Sequence, residues 1–478
     1  MLLRLSTFAY KRQYGPYIYF FCQLDNSDKV FAHADVFSEK ITRSCIDIEE
    51  ILAFLFSCFP NEKKDTIESD FMDFLHILVD DGYVVTGENE EGLEQKDKDL
   101  QLRRSSFHSL QEKRDESALT ANVQETLEAY FTSTPTLFEM QLDITRACTE
   151  KCIHCYLPDH SNIYLPFDKI AEVIDEFSRL GGLHITLSGG ECMLHPQFEK
   201  IVRYVNERDC TCTILSNLTL CEEKIIDLVA ECKCAIQVSL YSMDERIHDS
   251  ITQLPGSFRK TKKAIELLCA RHVPLIISCP TMKQNFSGYR DVLKYAEQMQ
   301  ISAQTDFVMM AKVNHDQSNL IHRLNLDQTE ELLHDIIFSD FPSVQEYFSP
   351  DHKRDLIEPE EYAERRICGA GIDKLCLGAD GTYYACSGFS GYPLGNCYKQ
   401  DLKTVWTQSP NILYLRSLRG KDIPSCIHCK NRDYCNLCLA RNYNETGNVL
   451  HVPEHLCKVA DLNRRLVEKL HASNQQSI

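Results

Sequence analysis

Three cysteines fall within eight residues, CTEKCIHC, which sets Cys148, Cys152 and Cys155 in a C-x3-C-x2-C spacing. Thiolate is the soft ligand that iron–sulfur clusters select, and three thiolates on one short loop can hold three irons of a 4Fe–4S cube. With no fourth cysteine nearby, the fourth iron is left open to another ligand. The competing reading is a small zinc site with His154 as its fourth ligand. Tetrahedral structural zinc, however, usually takes its cysteines in C-x2-C pairs.

Cysteines gather again toward the other end. CGAGIDKLCLGADGTYYAC holds Cys368, Cys376 and Cys386, and Cys397 follows. CIHCKNRDYCNLC holds Cys426, Cys429, Cys435 and Cys438, and Cys457 closes the set. By itself the second stretch is a fair zinc knuckle, because paired C-x2-C is the commonest zinc spacing. The first looks like a hairpin with the turn ADG between LCL and TYYA. Cys210, Cys212, Cys232, Cys234, Cys269 and Cys279 lie in strand-like or helix-like runs and read as small buried hydrophobes.

The elements that must position these groups follow from periodicity. FEMQLDIT, LHITLSGG, CTILSNLT, AIQVSLYS, LIISCPTM and QTDFVMMA are six strand-like runs separated by amphipathic helical patterns such as FDKIAEVIDEFSRL. Such alternation means parallel strands with helices packed outside. Six units are too few for a closed eight-unit barrel, so the fold class is α/β, an open (β/α)6 partial TIM barrel. Chemistry in such folds collects at the C-terminal strand ends. The three-cysteine loop, SGGE, the SN of the third run and the serine of VSLYS all fall there.

Residues 1–86 read as a separate winged-helix-like domain: β-rich runs YIYFFCQL and KVFAHADVF, two helical patterns, and a closing strand YVV after Gly82. Its second helix carries Glu68, Asp70, Asp73, Asp80 and Asp81, unlike a DNA-reading helix. Peptide capture by strand addition is the more physical expectation. Residues 87–134 have the composition of a charged linker with a helical segment, 135–311 form the barrel, 312–366 a helical bridge, and 367–478 the cysteine-rich tail.

Composition bounds the rest. The chain has 478 residues, 51 Lys and Arg against 70 Asp and Glu, a net charge of −19, and 23 cysteines. The acidic balance argues against a nucleic-acid partner. No long apolar run marks an export signal or membrane span, so a reducing cytoplasm with metal–sulfur centres is expected.

CTEKCIHC after the first strand, SGGE after the second and SN after the third together resemble the radical S-adenosylmethionine (AdoMet, SAM) enzymes. The tail resembles their SPASM extension. Cys368, twelve residues, Gly381, four residues and Cys386 match its first part; Cys426, Cys429, Cys435 and Cys457 match the rest, while Cys438 follows Cys435 after two residues rather than the usual three. The N-terminal domain looks like the peptide-recognition element similar to the pyrroloquinoline-quinone chaperone, PqqD.

This resemblance implies that the open iron of the first cluster takes the amino and carboxylate groups of AdoMet and generates a 5′-deoxyadenosyl radical. Gly189 and Gly190 allow close backbone approach, Glu191 accepts from the AdoMet ammonium, and Ser216, Asn217 and Ser239 contact the cofactor. Some relatives add an arginine clamp where this chain has Thr252, with Arg246 as a substitute. Tyr156 shields the cluster. Two auxiliary 4Fe–4S clusters are implied: Cys368, Cys386 and Cys438 on the first, with Cys376 or Cys397 as a fourth ligand or an iron open to a substrate thiolate, and Cys426, Cys429, Cys435 and Cys457 on the second. The implied function is maturation of a ribosomally synthesised precursor peptide whose leader docks on residues 1–86. The reaction is thioether or other carbon–carbon or carbon–oxygen crosslinking, fed by a ferredoxin or flavodoxin. The alternatives are formylglycine formation of the anaerobic sulfatase-maturing type and, in another class, a zinc-binding winged-helix regulator. No general acid or base is assigned.

Overall fold

The computed structural model describes residues 1–105, 122–340 and 357–476. The N-terminal unit contains β1 (Leu2–Leu5), β2 (Ala9–Tyr14), β3 (Tyr17–Cys22), β4 (Ser27–Ala32), β5 (Ile46–Asp47) and β6 (Val84–Gly87). β1 pairs antiparallel with β5 and β6, and β2–β3–β4 form an antiparallel meander. Helices Ile48–Cys58 and Lys64–Asp80 place Ile51, Leu55, Phe71, Phe74 and Leu78 on one side, where they meet Leu3, Phe20, Phe31 and Tyr83. That spacing is the amphipathic stripe that the sequence carries.

Strand residues alternate faces, and the meander uses both. Its second face presents Tyr10, Tyr14, Tyr19 and Val30 to Leu127, Phe131, Phe138, Leu183 and Ile372. Around this apolar contact, Gln23 Nε2 donates to Cys212 O at 2.7 Å and Tyr14 OH to Gly181 O at 3.2 Å. Arg12 and Arg43 both reach Asp209. These partners precede or begin the barrel strands, so the N-terminal unit closes the bottom of the barrel.

The central sheet begins with six parallel strands: β7 (Glu139–Thr145), β8 (His184–Gly189), β9 (Thr211–Ser216), β10 (Ala235–Ser239), β11 (Leu275–Pro280) and β12 (Ser302–Asp306). Met140, Leu142, Ile144, Ile185, Leu187, Ile214, Ile236, Val238 and Ile277 lie buried in one core with the flanking helices. The opposite, concave face carries Gln141, Thr186, Thr213, Gln237 and Ser278 with Leu215 and Ile276, all half-buried, and Gln304, which is exposed. That face is therefore largely polar. Cys210, Cys212, Cys232, Cys234 and Cys279 lie in the apolar core, with Cys269 packed at its margin.

Helix Phe167–Arg179 shows how helix and strand are joined. Phe167, Ile170, Val173, Ile174 and Phe177 form its buried stripe. Gly181 then turns the chain at φ +87°, and a Cβ on Gly182 would stand 2.3 Å from the Phe177 ring, so only glycine lets the next strand start so close.

Three features differ from the reading by periodicity. The last barrel strand ends at Asp306, so the FVMMA part of QTDFVMMA lies beyond it in the mouth. The stretch 87–134 contains helix Glu90–Ser105, whose Leu93 and Leu100 pack on Val85 and whose Asp97 accepts from Thr7 N at 3.0 Å; residues 106–121 lie outside the described residues. The tail hairpin, β13 (Lys374–Leu377) and β14 (Thr382–Tyr384), is not free-standing. β13 pairs parallel with the open edge of β7, and with β15 (Gly395–Asn396) it extends the sheet to nine strands. In the 312–366 bridge, helices Leu326–Asp340 and Pro359–Glu364 form, and residues 341–356 lie outside the description. Among the described residues no helix is long and apolar enough to cross a membrane.

Phe138 lies among Tyr14, Tyr19, Phe131 and His184, with ring centroids 4.6–5.5 Å away. Phe138→Ala should cost about 3–5 kcal/mol at this contact. Amide exchange over residues 1–86 should speed up while the strands Leu142–Leu187 stay protected, as read by hydrogen–deuterium exchange mass spectrometry.

Candidate functional site

The site grows from the end of β7. Thr145 forms an isolated bridge with Tyr164, and its hydroxyl accepts from Ala147 N at 3.0 Å. The loop that follows is fixed at its centre by helix Glu245–Thr252: Lys151 N donates to Thr252 O at 2.9 Å and Ile153 N to Ile251 O at 3.0 Å. Cys148, Cys152 and Cys155 are all half-buried. Burial first, then nearby anions including one another, pushes the Cys148 thiol up to about 12 and raises that of Cys152 well above its ordinary value. Such a set ionises readily only when a cation joins it.

SGGE is built into this loop. A Cβ on Gly189 would stand 2.1 Å from Thr145 O and one on Gly190 2.3 Å from Ala147 O. Gly190 N donates to Thr145 O at 2.9 Å and Glu191 N to Ala147 O at 2.8 Å. The glycines thus hold the cysteine loop against the second strand end. Glu191 is completely buried: its carboxylate accepts from Ser216 Oγ at 2.9 Å, Asn217 N at 2.9 Å and Met193 N at 3.0 Å. Burial raises its pKa and these donors oppose the rise.

Asn217 ties the third strand end to the loop, its Nδ2 reaching Thr149 Oγ1 at 3.0 Å and Cys148 Sγ at 3.8 Å. Ser239 ends β10 half-buried and bonds the Tyr241 hydroxyl, which lies 3.9 Å from Cys152 Sγ. The Tyr241 ring stands 5.2 Å from His154. Thr252 has no exposed surface and its hydroxyl bonds Ser257 Oγ at 2.8 Å; Arg246 is 92% exposed beside Asp244. Neither faces the site.

The tail cysteines fall into two sets. Cys386 feels Cys368 and Cys438, and Cys376 lies against Cys386. Cys435 feels Cys426, Cys429 and Cys457. Cys397 stands apart, beside Lys169 and 2.9 Å from where a Cβ of Gly381 would be. Tyr156 lies between the CTEKCIHC loop and the first tail set, within electrostatic reach of Cys155, Cys376 and Cys386. Among the described residues no three His, Cys, Asp or Glu side chains converge as ligands of one ion. A four-iron cube carries its thiolates on separate irons and so spreads them wider.

Several participants carry no motif. Asp143, on the concave side of β7, is buried, receives Gln141 Nε2 at 2.7 Å and lies 3.7 Å from the Cys376 thiol. Its single signal in the sequence is a charge inside an apolar strand run. Tyr241 had none. A cavity of about 1190 Å³ runs from Tyr19 and Asp28 of the meander, past Phe131 and Phe138, to Cys368, Cys426, Cys435 and Cys457.

Residues 142–296 match the family model of the Radical SAM superfamily, and residues 368–430 match SPASM, an iron–sulfur cluster-binding domain. The chain is 24% identical over 338 residues to an AdoMet-dependent heme synthase of Methanosarcina barkeri, covering 67% of this chain and 95% of that one. It is 23% identical over 318 residues to the antilisterial bacteriocin subtilosin biosynthesis protein AlbA of Bacillus subtilis, covering 63% and 67%. The fold is like that of Streptococcus suis SuiB, solved with its precursor peptide SuiA: TM-score 0.63, 15% identity, 95% of this chain and 99% of that one.

The Radical SAM domain implies a 4Fe–4S cluster with AdoMet, and the SPASM domain implies auxiliary iron–sulfur clusters. The donor set suits them: half-buried thiols on one short loop, neighbouring glycines that cannot take a Cβ, and the half-buried His154, whose buried Nε2 has no partner among the described residues.

Gly190→Ala should push the cysteine loop off β8. Iron analysis after anaerobic reconstitution should fall from about twelve to about eight per chain, the content of three and of two four-iron cubes. Unchanged circular dichroism would show that the fold survived.

Proposed function

We propose that this AdoMet-dependent iron–sulfur enzyme, with its Radical SAM and SPASM domains, modifies a ribosomally synthesised precursor peptide by crosslinking, with a thioether as the leading bond type. Cys148, Cys152 and Cys155 would hold the AdoMet-binding cluster, and Gly189, Gly190, Glu191, Ser216, Asn217 and Ser239 would line the AdoMet site. Cys368, Cys376, Cys386 and Cys438 would hold one auxiliary cluster, and Cys426, Cys429, Cys435 and Cys457 the other. When bound, the first cluster and AdoMet supply a carbon radical that removes hydrogen from an unactivated C–H bond.

The chain's own groups divide the remaining work. Glu191 receives Ser216 Oγ, Asn217 N and Met193 N, and the Cys192 thiol as a weaker fourth donor at 3.8 Å. An ammonium would displace the thiol. Tyr156 separates the cysteine loop from the tail set. The polar concave face, Gln141 to Gln304, offers amide and hydroxyl partners to a peptide backbone.

The observation that carries the peptide reading is that the likeness to SuiB spans 95% of the chain. It therefore extends well into residues 1–86. The AdoMet-dependent heme synthase, by contrast, is matched over 95% of its own length by 67% of this chain. We read residues 1–86 as a winged-helix-like, PqqD-like leader-docking unit. Both edges of its meander pair with no further strand among the described residues, which suits strand addition. The large cavity from this meander to the tail cysteines supports a route for the peptide. A ferredoxin or flavodoxin would supply electrons, and a cytoplasmic location suits thiolate-held clusters. The heme synthase and AlbA relatives do not favour the formylglycine alternative. The SPASM match leaves little for a zinc-binding regulator.

Two measurements test this. Cys148→Ala should abolish 5′-deoxyadenosine formation with the tail iron retained, and continued cleavage of AdoMet would refute the loop assignment. With a precursor encoded beside the gene, the product should lose two hydrogens and one alkylatable cysteine. Its leader segment alone should slow amide exchange within residues 1–86. Protection confined to the barrel would overturn the docking reading.

A further inference from the structure

Arg441 is 4% exposed and lies in helix Leu439–Thr446, whose N-terminal cap is Cys438. The acid one turn on, Glu445, is already engaged. Arg323 Nη1 meets its Oε2 at 3.2 Å and Nη2 meets its Oε1, and Arg323 also donates to Met309 O. Arg441 Nε is buried with no hydrogen-bond partner among the described residues. The trio Arg323–Glu445–Arg441 therefore carries one excess buried positive charge. A guanidinium does not escape this by losing its proton, and a buried charge without a counter-ion is costly.

The groups facing Arg441 decide its role. They are Arg323, Glu445, Cys438 and Cys435, with Asp306 at the end of β12 and His455 also within its field. Cys438 and Cys435 come from the two different cysteine sets. Each set becomes strongly anionic once it binds iron as thiolate, and reduction adds one more negative charge. Net charge and hydrogen bonds to sulfur set the potential of such clusters.

We infer that Arg441 is the shared counter-cation of the two tail clusters, aiming its unpartnered N–H at their sulfur and keeping both easier to reduce. This rests on the tail-cysteine assignment above. It makes Arg441 a positioning residue for electron flow between the barrel mouth and the tail, touching neither AdoMet nor peptide.

The test uses the full chain with Cys148, Cys152 and Cys155 all replaced by alanine, so that only tail iron reports, and an EPR-monitored redox titration. Arg441→Gln should lower the midpoint so that the reduced-to-oxidised ratio at the parent midpoint falls about tenfold, a shift of about 59 mV for a one-electron couple. Glu445→Gln removes the carboxylate that neutralises Arg323 and should move the midpoint the other way. Arg441→Lys keeps the charge without the fork and should fall between Arg441→Gln and the parent. Midpoints unmoved in all three, or moved in the same direction by Arg441→Gln and Glu445→Gln, would overturn the inference. Should Arg441→Gln fail to load iron, the other two variants carry the comparison. A parent triple variant without tail iron would instead overturn the ligand assignment itself, and this inference with it.

Discussion

The elements around the site depend on one constraint: the thiols of the CTEKCIHC loop and of the tail, all but Cys457 at least half-buried, sit inside protein, where a thiolate is expensive. Burial first, and neighbouring anions next, pushes Cys148, Cys152, Cys376, Cys386 and Cys435 well above the ordinary thiol pKa. Beside the first set lies the buried Glu150, whose Oε2 accepts from Cys152 Sγ at 3.2 Å. The backbone around the set is firmly held. The loop is held on one side by the glycine pair after β8 and on the other by the last carbonyls of helix Glu245–Thr252. Where the tail sets approach each other, the structure adds a cation, Arg441.

The same economy explains the two ends of the barrel. The bottom is sealed by aromatic packing of the meander around Phe138, which leaves the strands no freedom to splay. The top is left polar and open, and β13 joins the free edge of β7 there. That parallel pairing brings Cys376 beside Asp143 and sets the tail sulfurs beside Tyr156. The large cavity runs along the side, from the meander to the tail cysteines.

What could be read from the chain alone was what depends on short-range spacing. C-x3-C-x2-C and the tail spacings mark metal ligands because ligation by one loop is a local property. The β–α alternation named the parallel sheet because amphipathic period is local too. Boundaries were weaker: QTDFVMMA looked like strand throughout, yet β12 stops at Asp306 where pairing with β11 ends. Thr252 stands where some relatives carry an arginine clamp; its hydroxyl turns inward to Ser257 and only its carbonyl serves the loop.

Glu191 draws the division clearly. Its place in SGGE marked it as a functional acid, but only the folded chain shows three donors converging on its carboxylate from Met193, Ser216 and Asn217. The sequence by itself determined the ligand types, their grouping along the chain and the strand ends that carry them. Tertiary structure alone decided which groups from distant stretches meet: Asp143 with Cys376, Tyr241 with Cys152, and Arg323 with Glu445. The physical reason is that spacing along a chain fixes neighbours within a turn or a loop, whereas contacts across hundreds of residues are set by strand order, register and the packing of whole elements.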